Sequence, residues 1–256
     1  MDHAPPTKEA AERRGVAGDM LGAIADLVAP RTCAGCGVRG EALCAACRTE
    51  LRGSPLRVRL RADVPVPVFA CGRYGGASQA VINAYKEQGR TELSRGLGDS
   101  AAQLLWELID LGEIPEPHDT PLALVPAPAS ASAIRRRGFD HIARWTERTT
   151  RVLSASLPPG SVVMTQALQV RGRVRDAAGL SAGARAENLA GSIVAAPLRI
   201  LGGDDPAKVW AQMRDGTRHV IVVDDVVTTG ATMAECVRAL ARIGLRTDSA
   251  VALRAA

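Results

Sequence analysis

The chain has 256 residues, of which 46% are hydrophobic, 23% charged and 3% aromatic, and its formal net charge is +5. That length and apolar fraction build one large core, or one core with a small appendage, and exclude wholesale disorder. No apolar run reaches the ~18–20 residues that a bilayer-spanning helix needs, and a charge this mild is not by itself the footprint of a nucleic-acid binder.

Residues 1–17 are polar, of mixed charge and without periodicity, which predicts a disordered tail. They lack the basic start and apolar core of a secretory signal, so a cytoplasmic location with no membrane partner is expected. Met20, Leu21, Ile24, Leu27 and Val28 fall at helical spacing in 18–29, and Pro30 ends that helix. Four of the six cysteines follow within 33–47. The arginine-rich stretch 48–63 reads as a connector. Residues 64–74 read as a strand, with Pro65 and Pro67 demoting its start to an edge. Helices are predicted at 77–88 and 93–111, and a proline-rich loop at 113–121.

From 122 onward the pattern alternates. Buried strands are predicted at 122–128, 161–166 and 219–225, a short strand at 192–195, and a closing strand at 247–255. Helices are predicted at 131–153, with Ile134, Ile142, Trp145 and Val152 as core positions, at 182–190, and after the loop that follows Asp225. Residues 170–183 have no period, and 197–218 read as a surface excursion. The expected fold class is therefore α/β: a parallel sheet covered by helices on both faces, over about 64–256, preceded by a helix and a cysteine module at 18–60.

Cys33-Ala-Gly-Cys36 and Cys44-Ala-Ala-Cys47 are two knuckles seven residues apart. In a cytosolic chain this clustering argues for metal rather than disulfides. Four thiolates complete a tetrahedral Zn²⁺ site, while an iron–sulfur cluster has the same spacing and a redox pair needs only one CxxC. Zinc is the expected occupant, with Cys33, Cys36, Cys44 and Cys47 as ligands. Cys71 and Cys236 are isolated and read as small core residues.

The second motif is Val220-Ile221-Val222-Val223-Asp224-Asp225-Val226-Val227-Thr228-Thr229-Gly230-Ala231-Thr232. A continuously apolar strand delivers two carboxylates to the sheet edge, where ligands of parallel sheets bind. The loop then opens a helix whose free amides suit a phosphate. Gly230 allows a tight turn, and the threonine hydroxyls can donate to phosphate oxygens. Paired carboxylates can accept from vicinal sugar hydroxyls or help hold Mg²⁺. The whole string predicts a sugar-phosphate site, although Asp-Asp alone would be an ordinary strand exit and helix cap.

This string resembles the 5-phosphoribosyl-1-pyrophosphate (PRPP) motif of type I phosphoribosyltransferases. The resemblance puts Asp224 and Asp225 on the ribose and Thr228, Thr229, Gly230, Ala231 and Thr232 on the 5-phosphate. A short Cys₄ ribbon ahead of such a domain is similar to the ComF family of competence-associated proteins. Tyr74-Gly75-Gly76, Lys86 to Arg90, Val125-Pro126-Ala127-Pro128 with Arg137-Gly138-Phe139-Asp140, and Arg171 through Asn188 resemble further family stretches. Departures are Asp140-His141 in place of Asn-Gln, and Asp176-Ala177-Ala178-Gly179 in place of a Thr and Gln.

The resemblance implies a PRPP-binding protein with Mg²⁺. The resemblance also allows for transfer of phosphoribosyl to an unspecified acceptor with release of pyrophosphate. Cations stabilise such a leaving charge, which makes Arg171 and Arg173 catalytic candidates beside Asp224 and Asp225. The alternative is a non-enzymatic role with single-stranded DNA or a helicase. Nine arginines against three acids over 121–180 would then serve nucleic-acid phosphates.

Overall fold

The computed structural model describes residues 31–171, 191–202 and 204–256. The expected tail, the helix at 18–29, the helix at 182–190 and Arg173 lie outside the described residues. In chain order the elements are α1 (Ala45–Arg52), β1 (Leu56–Arg57), β2 (Val68–Ala70), α2 (Gly76–Glu87), α3 (Ser94–Asp110), β3 (Leu122–Pro126), α4 (Ala131–Arg137), α5 (His141–Ser154), β4 (Val162–Val170), β5 (Ile193–Leu201), α6 (Pro206–Asp215), β6 (His219–Val227), α7 (Ala231–Arg242) and β7 (Ser249–Ala255). No helix among the described residues is long and apolar enough to cross a membrane.

The strands form one seven-stranded sheet in the order β1-β2-β7-β6-β3-β4-β5. The five inner strands run parallel, as expected from their continuous apolar runs. Both outer strands are antiparallel, so the sheet is mixed rather than parallel. β5 explains the difference. It runs from Ile193 to Leu201, well past the predicted 192–195, and over 196–201 its side chains alternate between half-buried and exposed as an edge strand's do.

β3 leads through α4 and α5 to β4 on one side, while β6 leads through α7 to β7 on the other. Parallel crossovers wind right-handed, so these opposite directions put α5 and α7 on opposite faces. α3 packs on α5 over one face, and α7 lies against β4, β5 and β6. The order thus reverses between β3 and β6. A crevice opens at such a switch point, outside the carboxyl ends of the strands.

The predicted helix 131–153 is two helices. Gly138, at φ 81°, ends α4, and the Asp140 carboxylate accepts from the Ala143 amide to start α5. Ile134 is consequently only half-buried, and Leu153 rather than Val152 reaches the core. Trp145 is buried as expected. The threonines of the inner α5 face bury without penalty, because Thr146, Thr149 and Thr150 donate to carbonyls one turn back. The excursion 197–218 resolves into the second half of β5 and α6, which Asp205 caps ahead of Pro206.

The cysteine module shares the sheet's core. Cys33, Leu43, Cys47 and Leu51 are buried in one cluster with the strands. Buried Arg254 of β7 donates to the Glu50 carbonyl at 2.7 Å, and the Glu50 carboxylate accepts from the Ser78 amide in the first turn of α2. The connector 48–63 therefore begins as helix α1.

Candidate functional site

A cleft of about 460 Å³ opens at the switch point. Asp224, Asp225 and the whole run Thr228–Thr232 line it, together with Lys86, Arg137 and His141. β6 continues through Val227, so the acids stand two residues inside the strand rather than at its end. Successive strand residues face opposite sides of a sheet, and the two carboxylates have different neighbours.

Asp225 faces the α2 and α5 side. Its Oδ2 accepts from Lys86 Nζ at 2.7 Å and from His141 Nε2 at 3.0 Å. Its Oδ1 accepts from the Val226 amide at 2.6 Å. Burial works against the charged form, but the Lys86 ammonium and the His141 hydrogen bond outweigh it and hold this carboxyl well below the usual carboxylate range. The same pairing overcomes burial at Lys86 and raises the ammonium above its ordinary value. Among the described residues Asp224 has no cation in contact; its Oδ1 accepts from the Asp225 amide at 2.8 Å. Burial and the neighbouring Asp225 charge push it up to about 7. Adjacent in sequence, the pair is split electrostatically into one firmly ionised acid and one that keeps its proton far more readily.

The loop after β6 turns tightly into α7. Gly230 takes φ 86° and caps α7, and Thr229 Oγ1 accepts from the Ala231 amide at 3.4 Å. A feature absent from the motif braces it from behind. The Ala62 amide donates to the Thr229 carbonyl at 2.9 Å, and a Cβ built on Gly230 would lie 2.6 Å from Leu60 Cδ1. The connector therefore backs the loop.

In the sequence, Lys86 stands out only through a resemblance and His141 only as a departure from it. The structure brings both onto Asp225. Four contacts aim them. Arg137 Nε donates to the Lys86 carbonyl at 2.9 Å, and its Nη2 pairs with Glu87 at 3.0 Å. Phe139 packs on Tyr85 with centroids 5.3 Å apart. Tyr85 Oη donates to the His141 carbonyl at 2.9 Å. The Arg137-Gly138-Phe139 stretch thus grips the end of α2. Arg171 is exposed at the end of β4, its amide on the Ser192 carbonyl, and is not among the cleft-lining residues.

The four cysteine sulfurs lie within 4.8 Å of one another, with Cys36 and Cys44 3.6 Å apart. Four sulfurs ~2.3 Å from one tetrahedral ion stand ~3.8 Å apart, so the set can hold a metal such as zinc. Burial disfavours the Cys33 thiolate, but the amides of Cys44, Cys36 and Gly35 outweigh it and bring it to about 6. Burial and the other three sulfurs push Cys47 the opposite way. One thiolate forms readily and the next resists, a conflict that a bound cation removes. Cys71 and Cys236 are fully buried core residues, as expected. No family model matches the chain, and no curated protein matches it.

Proposed function

We propose that the chain binds PRPP in the switch-point cleft and acts as a phosphoribosyltransferase-like protein, transferring phosphoribosyl to an acceptor with release of pyrophosphate. The observation that carries this reading is the convergence of two buried carboxylates and a glycine-capped, threonine-lined helix start on one cleft. The loop amides and threonines would take the 5-phosphate, and Asp224 and Asp225 the ribose hydroxyls. Asp224 and Asp225 would help hold Mg²⁺, which would supply charge neutralisation for the leaving group. Zn²⁺ in Cys33, Cys36, Cys44 and Cys47 would be structural, because the cluster is built into the core and has no part in the cleft.

The single-stranded DNA reading has less support. Of the arginines over 121–180, Arg137, Arg148 and Arg151 are already paired with Glu87, Asp99 and Glu147. Calorimetry with PRPP and Mg²⁺ tests the proposal. Folded wild type should bind, Asp225→Asn should bind at least tenfold more weakly, and Cys236→Ala should match wild type. Absence of binding by folded wild type would sink it.

A further inference from the structure

Asp225 has little room for a ligand. An ionised carboxylate offers about four lone-pair positions, and Lys86, His141 and the Val226 amide take three. A sugar diol donating two hydrogen bonds needs one of them vacated. The Val226 amide is fixed in β6. The His141 ring is buried in the first turn of α5, where a displaced Nε2–H would lose its partner away from water. Lys86 differs from both. Its ammonium ends a flexible four-carbon stem, its side chain is 24% exposed, and it lines the cleft.

The ammonium can leave Asp225 only toward another negative charge. Neighbouring Arg137 adds positive charge on the same wall. Moving Lys86 off Asp225 without a replacement would leave a partly buried cation uncompensated, which is strongly unfavourable. A ligand that supplies only hydroxyls cannot balance this exchange. A ligand that supplies hydroxyls and a further anionic group can, by giving Lys86 a new partner as it takes Asp225.

The structure assigns the Lys86–Asp225 ion pair as the specificity lock of the cleft: Asp225 accepts sugar hydroxyls only from a ligand whose second anionic group, beyond the one on the Thr228–Thr232 loop, takes over Lys86. Lys86 is then the specificity-determining residue, selecting sugars phosphorylated at two positions over singly phosphorylated ones. This inference rests on the PRPP reading.

The test compares PRPP with ribose 5-phosphate, both with Mg²⁺, by calorimetry. Wild type should prefer PRPP by at least tenfold. In Lys86→Met that preference should fall ten- to hundredfold, the worth of a charged hydrogen bond, and Lys86→Arg should restore part of it. Equal weakening toward both ligands, or an unchanged preference in Lys86→Met, would overturn the lock. A second measurement needs no variant. Lysine occurs only at Lys8, Lys86 and Lys208, so the Lys86 ¹⁵Nζ resonance is readily assigned. It should shift with PRPP and stay in place with ribose 5-phosphate; the same response to both would refute the exchange. Wild type binding both sugars equally overturns the lock alone, whereas binding neither overturns the PRPP reading beneath it.

Discussion

Replacing Gly230 with alanine should damage the loop in two separable ways. The first is backbone strain. Gly230 sits at φ 86°, and an L-residue in the left-handed region costs ~1–2 kcal/mol. The second is a collision. The new Cβ would lie 2.6 Å from Leu60 Cδ1, 3.1 Å from its Cβ and 3.2 Å from its Cγ. Rotating the Leu60 terminus relieves only the first of these contacts, so the backbone of 58–62 must also give. Overpacking of this kind costs ~1–3 kcal/mol. Together they predict a loss of ~2–5 kcal/mol and, at ~2–4 °C per kcal/mol for a chain of this size, a fall of roughly 4–20 °C in melting temperature. Leu60→Ala alone should cost ~1–2 kcal/mol, since this side chain is only half-buried. In the double variant the contacts with Leu60 Cδ1 and Cγ disappear while the 3.1 Å Cβ contact and the strain remain, so the two changes should combine to less than their sum by ~1–2 kcal/mol. Thermal denaturation of the four proteins measures this coupling. Strict additivity would refute the claim that the connector backs the loop.

Asp224 gives a pH test. Its folded pKa of about 7 lies above the ~3.9 of an unfolded aspartate. The associated stability is therefore complete below pH ~4 and lost as pH rises through 7. Asp224→Asn should melt above wild type at pH 8, by at most ~4 kcal/mol, with the gap closing toward pH 4; a constant gap would count against a buried, protonatable Asp224. For the cysteine cluster, purified protein should carry one zinc per chain, and Cys36→Ser should lose it. Amide exchange should then accelerate over 31–53 and spread into the start of α2 through the Glu50–Ser78 contact, while β3 and β6 stay protected. Iron, or no metal under reducing conditions, would refute the zinc assignment.

Strands β3, β6 and β7 were legible because a strand buried on both faces needs an unbroken apolar run, and few other structures do. The cysteine knuckles and the loop after β6 were legible because their chemistry is local. The break at Gly138 was hidden by Ile134 and Ile142, whose spacing continues a helical stripe that the chain does not follow. β5 and α6 were obscured by exposure, since edge elements bury too little to leave a period. The Lys86–Asp225–His141 cluster was beyond any local pattern. Its members come from α2, β6 and α5, and only the crossovers bring them together. The opposed environments of Asp224 and Asp225 had a local clue in strand alternation, which sends adjacent residues to opposite faces.

The two antiparallel margins also bear on how the sheet behaves among its neighbours. An outer strand with a long row of free amides templates aggregation. Here one margin is only Leu56–Arg57. The other is interrupted: β5 pairs with β4 in two stretches separated by a bulge, and Pro197, which has no amide hydrogen, falls in the gap, with Arg199 just beyond. Neither rim offers a flat, uncharged run on which a second chain could extend the sheet. The antiparallel strands that make this sheet mixed thus end its growth and protect the mostly apolar parallel strands between them from joining others of their kind.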